Sequence, residues 1–215
     1  MKINGYAKRL SAALIALLLL LTAAACSPSD GGLETYPSDG GSVALPTDTA
    51  SDGALTATRT DTAAPTDSSS DGETSVNTAP DFAILDMDGK EVRLSDFFGT
   101  PIVLNFWASW CPPCKAELPD FEAACKKYEG KVTFLMVNLT DGQRETVEVA
   151  KNFVASEGYT FPVYFDTKYE ASYAYGVNSI PQTYFINADG SLEARATGMI
   201  SAAQLEQGIG MIYGE

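Results

Sequence analysis

The sequence predicts an α/β domain over residues 80–215, with a central mixed sheet flanked by helices. Short apolar runs with strand character alternate along this region with helical segments, which is the pattern of a sheet covered on both faces. One apolar run, Pro101 to Trp107, leads directly into a helix that begins at two cysteines. The region also has an ordinary size for a single domain. These observations together predict one layered domain, preceded by a segment of different composition.

The predicted elements of the domain follow one another without long gaps. Turn residues Asp88-Gly89 join strands at 81–85 and 91–94 into an N-terminal hairpin, and a one-turn helix follows at 95–99. Strands are then expected at 101–107, 131–138, 161–165, 182–187 and 191–197, and helices at 111–128, 141–157, 169–175 and from Ser201 onward. Ser201 and Gln204 supply a capping box for the last helix.

The first 25 residues have the parts of an export signal. Basic residues precede an apolar run from Leu10 to Ala25, which is too short for a comfortable membrane span. The run ends in small residues that are followed at once by Cys26. This ending resembles a bacterial lipobox, so we expect Cys26 to be the lipidated first residue of the mature protein. The alternatives are ordinary signal cleavage that leaves Cys26 free and an uncleaved anchor, and all three interpretations place the domain outside the cytoplasm.

Residues 26–79 differ in composition from the domain. From Ser27 to Ala79 the chain is rich in Ser, Thr, Asp, Gly, Ala and Pro, and it contains no Phe, Trp, Ile, Met, Lys or Cys. Such a segment buries too little apolar surface to offset its chain entropy. We therefore expect a disordered tether, which as a flexible coil would span on the order of 40 Å. It would keep the domain near partners in the membrane.

The charge balance and the amino-acid inventory exclude several functions. The chain has 14 basic and 28 acidic residues, for a net charge of −14, and it has no basic region suited to nucleic acid. It contains no histidine, which excludes Ser-His-Asp and Cys-His catalysis and a Cys₂His₂ zinc site. We expect no metal and no organic cofactor. Any general acid or base must be a carboxylate, a lysine, a tyrosine or a thiol.

Cys111 and Cys114 form a C-x-x-C pair at the start of the helix predicted at 111–128. A helix N-terminus supplies partial positive charge and free N–H groups that stabilise a thiolate. Pro112 fits the first turn, where no N–H is required. We expect Cys111, with an exposed sulfur, to attack a disulfide and the more buried Cys114 to resolve the mixed disulfide. The alternatives are a static disulfide or half of a four-cysteine metal site, although no second C-x-x-C is present.

Two runs of sequence carry a family resemblance, VLNFWASWCPPCKAELP at 103–119 and GVNSIPQTYFINADG at 176–190. They resemble the thioredoxin superfamily, in particular its extracytoplasmic TlpA/ResA-like thiol-disulfide oxidoreductases. With their spacing they cover roughly residues 80–215. The resemblance implies a thioredoxin-like fold, to which this branch adds an N-terminal β-hairpin and a central strand-helix unit.

The resemblance also assigns roles to residues around the cysteine pair. It implies that the Ile180–Pro181 bond is cis and faces the disulfide, where the backbone of Ile180 pairs with an extended substrate segment. Trp110 and Pro112 are expected to contact substrate. Glu117 matches the glutamate of a C-x-x-C-x-x-E pattern and would move protons to and from the resolving thiol. The alternative for Pro181 is a trans proline in a turn. The alternative for Glu117 is a helix glutamate exposed to solvent.

Two further side chains close to the motif are expected to be structural. Trp107 is predicted to pack in the core. Cys125 falls on one helical face with Cys114, Leu118 and Phe121, which indicates a buried and inert thiol. The alternative for Cys125 is a regulatory or third redox cysteine.

From the residues and the resemblance together we expect a monomeric, extracytoplasmic thiol-disulfide oxidoreductase that is lipid-anchored to the cell membrane. The resemblance implies that it reduces disulfides of exported proteins, with apocytochrome c as one candidate client, and that it receives electrons from a membrane thiol donor. The redox centre would be the cysteine pair itself. Two alternatives stay open. One is a thiol peroxidase, which would need Thr or Ser where the chain has Ala108. The other is a surface lipoprotein that only binds partners.

Overall fold

A computed structural model describes residues 32–36 and 77–214 of the chain. The strands are β1 (Leu33–Thr35), β2 (Ala83–Leu85), β3 (Glu91–Arg93), β4 (Ile102–Trp107), β5 (Thr133–Asn138), β6 (Val163–Phe165), β7 (Gln182–Ile186) and β8 (Leu192–Thr197). The α-helices are α1 (Pro112–Lys127), α2 (Val147–Glu157), α3 (Glu170–Ala174) and α4 (Ala202–Tyr213), and a 3-10 turn spans Leu94–Phe97. The predicted signal segment, Cys26 and most of the predicted tether lie outside the described residues. Within the two described ranges, no helix is long and apolar enough to cross a bilayer.

The described strands form one mixed sheet in the order β1-β8-β7-β4-β5-β6-β2-β3. β4 lies in its interior, parallel to β5 and antiparallel to β7. Every residue of β4 is buried, because both faces of the sheet are covered. The β2–β3 hairpin joins the sheet through the pairing of β2 with β6. The prediction of a thioredoxin-like α/β fold with an N-terminal hairpin is therefore confirmed.

Two layers of apolar side chains cover the two faces of the sheet. On one face pack α1, α2 and α4, which contribute Leu118, Val154 and Ile209 to the buried layer. On the other face pack α3 and the 3-10 turn, through residues such as Ala171 and Leu94. The side chains of β4 alternate between the two layers, as the two-residue period of a strand requires. The sheet thereby holds the end of β4, from which the cysteine loop departs.

The helix α2 begins later than the sequence predicts. A helix was expected over 141–157, but the structure has it at Val147–Glu157. Asp141 Oδ1 instead accepts hydrogen bonds from two backbone N–H groups of the following turn. Thr146 then caps the helix by accepting a bond from the backbone of its third residue. The prediction is wrong for residues 141–146 because these local side-chain bonds compete with helical ones.

An edge strand lies inside the segment that was expected to be a disordered tether. β1 pairs antiparallel with β8, and Tyr36 N donates to Glu193 O at 2.8 Å. The chain re-enters the described structure beside the same strand, where Leu192 N donates to Asn77 O at 2.7 Å. The tether prediction is therefore wrong for β1. The folded domain also begins by Asn77 rather than at Pro80.

Candidate active site

Cys111 and Cys114 form a disulfide at the start of α1, with an Sγ–Sγ distance of 2.04 Å. Cys111 is the residue that caps the helix, and its Sγ accepts a hydrogen bond from Cys114 N at 3.2 Å. Pro112 and Pro113 occupy the first two helical positions, where a missing N–H has no helical partner to lose. Once the disulfide is reduced, this arrangement stabilises a thiolate on Cys111.

Cys111 is less exposed than the sequence predicts. Its exposed fraction is 2%, against 0% for Cys114. The expectation of an exposed attacking sulfur is therefore wrong for the disulfide form. Cys111 instead lies in the wall of a cleft. The cleft has a volume of about 340 Å³, and Trp110 and the two prolines of the motif also line it. Cys114 is not among the residues that line the cleft and is the more buried partner, as expected.

The loop that precedes β7 forms another wall of the cleft, from Val177 to Ile180. The Ile180–Pro181 bond is cis, as predicted, and Ile180 O lies 3.8 Å from Cys111 Sγ. A backbone carbonyl this close to the sulfur can pair with an extended segment that carries a substrate cysteine. Trp110 is 38% exposed at the rim of the cleft, whereas Trp107 is fully buried, so both tryptophans lie as predicted.

Glu117 is a buried carboxyl group on α1, one helical turn beyond Cys114. Asn105 Nδ2 donates to its Oε1 at 3.0 Å, and Ile200 N donates to its Oε2 at 2.9 Å. Its exposed fraction is 1%, so the alternative of a solvated helix glutamate is wrong. Burial raises the pKa of Glu117 to about 7, and the two hydrogen bonds only partly oppose that rise. A carboxyl group with this pKa can take up and release a proton near neutrality.

The residues that hold Glu117 were not identified from the sequence. Asn105 is fully buried on β4, and its Nδ2 also donates to Thr183 Oγ1 on β7 at 3.1 Å. Its Oδ1 has no hydrogen-bond partner within the described part of the chain. Ile200 lies just before α4, at a sequence separation of 83 residues from Glu117. No local pattern marks such partners, because three different elements bring them together.

Cys125 is a free cysteine that packs half-buried against the core. Burial, reinforced by the Glu122 and Glu129 carboxylates, raises the pKa of its thiol. A raised thiol pKa lowers the thiolate fraction and the reactivity. The prediction of an inert thiol agrees with this direction, although the side chain is not fully buried. Among the described residues, no three His, Cys, Asp or Glu side chains are grouped as a metal site requires.

An enzyme of this fold with a cysteine pair at the head of the first long helix belongs to the thiol-disulfide oxidoreductases, and the geometry assigns the protein to that class. A sequence comparison shows the family to which the chain belongs. Residues 76–195, more than half of the chain, match the family model described as the AhpC/TSA family. The chain therefore belongs to the AhpC/TSA family.

The names of individual relatives agree with the class of thiol-disulfide oxidoreductases. The chain is 34% identical over 132 residues to the thiol-disulfide oxidoreductase ResA of Geobacillus thermodenitrificans. The matched region covers 61% of this chain and 74% of the relative. A thiol:disulfide interchange protein of the thioredoxin family from Chlorobium tepidum is 26% identical, with a TM-score of 0.57 over 66% of this chain and 100% of that one. The exposed lipoprotein thioredoxin Etrx1 of Streptococcus pneumoniae is 33% identical, with a TM-score of 0.50 over 59% of this chain and 96% of that one. The resemblance stated from the sequence is thereby confirmed.

Proposed function

We propose that the protein reduces disulfide bonds of exported proteins and that Cys111 is the attacking thiol. The observation that carries this proposal is the position of Cys111, which caps α1, lines the cleft and lies 3.8 Å from Ile180 O. A substrate segment paired along Ile180 presents its disulfide to Cys111 rather than to Cys114, which is fully buried. Trp110 and Pro112 supply apolar surface for the same segment.

The proposed reaction is an exchange of two electrons between two cysteine pairs. The Cys111 thiolate attacks one sulfur of the substrate disulfide, the substrate S–S bond breaks, and the departing sulfur takes up a proton from solvent. The Cys114 thiol then gives its proton to Glu117 and attacks the Cys111 sulfur. This step releases the second substrate sulfur, which is protonated in turn, and leaves the Cys111–Cys114 disulfide. A thiol donor must reduce that disulfide before the next cycle.

The cellular setting forms the second part of the proposal. The predicted N-terminal export signal and Cys26 support an extracytoplasmic enzyme that is lipid-anchored to the cell membrane. The similar pneumococcal protein is named an exposed lipoprotein, which agrees with that location. The electron donor would then be a thiol protein of the same membrane. Apocytochrome c is a chemically suitable client, because haem attachment needs both of its cysteines reduced.

The direction of the reaction is tested by the midpoint potential of the Cys111–Cys114 pair, measured against graded thiol/disulfide buffers. A value near or below about −270 mV, the potential of thioredoxin, is expected for a reductase. A value near −120 mV, as in strong periplasmic oxidants, would contradict the proposal and make the protein a disulfide donor. Cys111→Ser is the control for the assignment of the attacking thiol and should abolish exchange.

The client is tested with two disulfide substrates, oxidised insulin and an oxidised C-x-x-C-H peptide of the cytochrome type. Preferential reduction of the peptide is expected if apocytochrome c is a client, and equal rates would contradict that narrower proposal. Turnover of hydrogen peroxide is the matched test of the peroxidase alternative. The side chain at the position that such a mechanism needs is Ala108, which cannot donate a hydrogen bond, so no turnover is expected.

A further inference from the structure

Glu145 is a fully buried carboxylate next to the cysteine loop, on the segment that joins β5 to α2. Its Oε1 accepts from Ser109 N at 2.8 Å and from Asn138 Nδ2 at 2.7 Å, and its Oε2 accepts from Ser109 Oγ at 2.6 Å. Ser109 precedes the attacking Cys111 by two residues. All three partners donate, so the carboxylate is used wholly as an acceptor. The reaction described above makes no use of this group.

The same segment contacts the cysteine loop a second time. The Arg144 guanidinium lies over the Trp110 ring, with Cζ at 4.2 Å from the ring centroid. The segment itself is fixed, because Glu145 N donates to Asp141 Oδ1 at 2.8 Å and Gly142 N donates to Glu145 O at 3.0 Å. Neighbouring residues of one rigid turn therefore contact both Ser109 and Trp110.

We propose that Glu145 is a positioning residue for thiol-disulfide exchange, because it holds Ser109 and thereby sets where Cys111 caps α1. The loop between β4 and α1 lies wholly within the described residues, and one backbone hydrogen bond joins its own residues, from Cys111 N to Ala108 O at 3.2 Å. Without Glu145, the N–H and the hydroxyl of Ser109 lose their acceptor. Cys111 then has more freedom to leave the position in which Cys114 N supports its sulfur. The inference rests on the proposed role of Cys111 as the attacking thiol.

Positioning and direct charge predict opposite effects on the Cys111 thiol. If Glu145 acts by position, loosening the loop weakens the support of the thiolate at the helix N-terminus, and the thiol pKa of Cys111 rises. If it acts by its negative charge, removing that charge makes the thiolate easier to form, and the pKa falls. Ser109→Ala deletes one bond of the contact but leaves the charge in place. It therefore separates the two effects.

The test uses the full-length protein and follows alkylation of Cys111 against pH by mass spectrometry of its peptide, with kcat/KM for insulin reduction. Ser109→Ala and Glu145→Gln are each expected to raise the thiol pKa and to lower kcat/KM about tenfold, while Ser109→Thr keeps the hydroxyl and stays near wild type. Glu122→Gln is the matched control, because Glu122 accepts similar bonds from Thr160 and Phe161 and contacts neither Cys111 nor Cys114. This control variant should lower the melting temperature without changing the thiol pKa of Cys111 or kcat/KM.

Two results would overturn the proposal. One is an unchanged thiol pKa and kcat/KM in both Ser109→Ala and Glu145→Gln, with only the melting temperature lowered as in the Glu122 control. The other is a lowered thiol pKa in Glu145→Gln with no change in Ser109→Ala, which would assign the effect to charge. If Glu145→Gln does not fold, Ser109→Ala and Ser109→Thr still decide the question. Failure of the proposed reductase function is recognised separately, as a wild-type protein that does not exchange disulfides through Cys111.

Discussion

Glu117 and Glu122 lie on the same helix, α1, and both are largely withdrawn from water, with exposed fractions of 1% and 9%. Their pKa values nevertheless move in opposite directions. Burial raises the pKa of Glu117 to about 7. Burial acts in the same sense on Glu122, but hydrogen bonds from Lys126, Thr160 and Phe161 outweigh it and lower the pKa to about 2.

The difference between the two carboxyl groups lies in their donors. Glu122 accepts bonds from an ammonium group, a hydroxyl and two backbone N–H groups. Glu117 accepts from two neutral N–H groups only. Burial alone therefore does not decide the role of a carboxyl group, because enough donors keep it ionised at every ordinary pH. Glu122 holds two segments together, whereas Glu117 can change its protonation near neutrality.

The largest expected effect separates the two residues by activity. Glu117→Gln should slow disulfide exchange at pH 7 about 100-fold, since it removes the proposed proton acceptor of the resolving thiol. Glu122→Gln should stay within about twofold of wild type, because it lies outside the proton transfer. Stopped-flow reduction of a protein disulfide measures both variants. Wild-type rates in Glu117→Gln across the pH range would remove Glu117 from the mechanism.

The next effect concerns stability at neutral and alkaline pH. The pKa of Glu117 in the folded state is raised to about 7, above its ordinary value of 4.5, so the native state holds this proton more tightly than the unfolded chain does. The resulting stability is fully present below pH 4.5 and is lost as the pH rises through 7. The wild-type free energy of unfolding should fall by about 2 kcal/mol more than that of Glu117→Gln between pH 5 and pH 8. Denaturant titrations of the oxidised proteins test this, and parallel curves would contradict it.

The acid side of the stability curve tests Glu122 with the opposite sign. Its folded-state pKa is lowered to about 2 from 4.5, so its contribution is present above pH 4.5 and is lost as the pH falls through 2. Glu122→Gln should cost about 1 to 2 kcal/mol at pH 7, because Thr160 and Phe161 lose a charged acceptor. The variant should also lose less stability than wild type between pH 5 and pH 2. Equal acid sensitivity of the two proteins would show that Glu122 is not an ionised anchor.

The smallest expected effect compares the contribution of Lys126 with that of the other donors to Glu122. Lys126 Nζ lies 2.7 Å from Glu122 Oε1, but the lysine side chain is 62% exposed. Solvent screens such a pair, so Lys126→Met should cost only about 0.5 kcal/mol. Chemical denaturation at low and high salt measures it. A loss as large as that of Glu122→Gln would mean that the ammonium, and not the Thr160 and Phe161 donors, stabilises the carboxylate.

Much of the architecture follows from local pattern, and much of the site does not. The apolar run into β4, the C-x-x-C pair and the capping box of Ser201 and Gln204 are local signals, and the elements that they predict are present. Glu145 gave no such signal. It lies in the part of the predicted helix 141–157 that is not helical, and its partner Ser109 is 36 residues away. Nor did β1, whose Glu34 contacts Arg195 across 161 residues of sequence. A strand of three residues in a polar segment is too short for the alternation of apolar and polar residues to distinguish it from a loop.

If the protein is anchored in the membrane as proposed, the pairing of β1 with β8 changes which part of the chain sets the distance between the domain and the membrane. If Cys26 carries the proposed lipid, six residues separate it from Leu33, and the seven steps between the two reach at most about 25 Å when fully extended. Residues 37–76 do not add to that distance, because Tyr36 and Asn77 are bound to the adjacent residues Glu193 and Leu192. We therefore expect a protease that cuts within 37–76 to leave the enzyme attached only through the hydrogen bonds of a three-residue strand. If the protein is lipid-anchored as proposed, a single cut there would be a route to shedding the active domain from the cell surface.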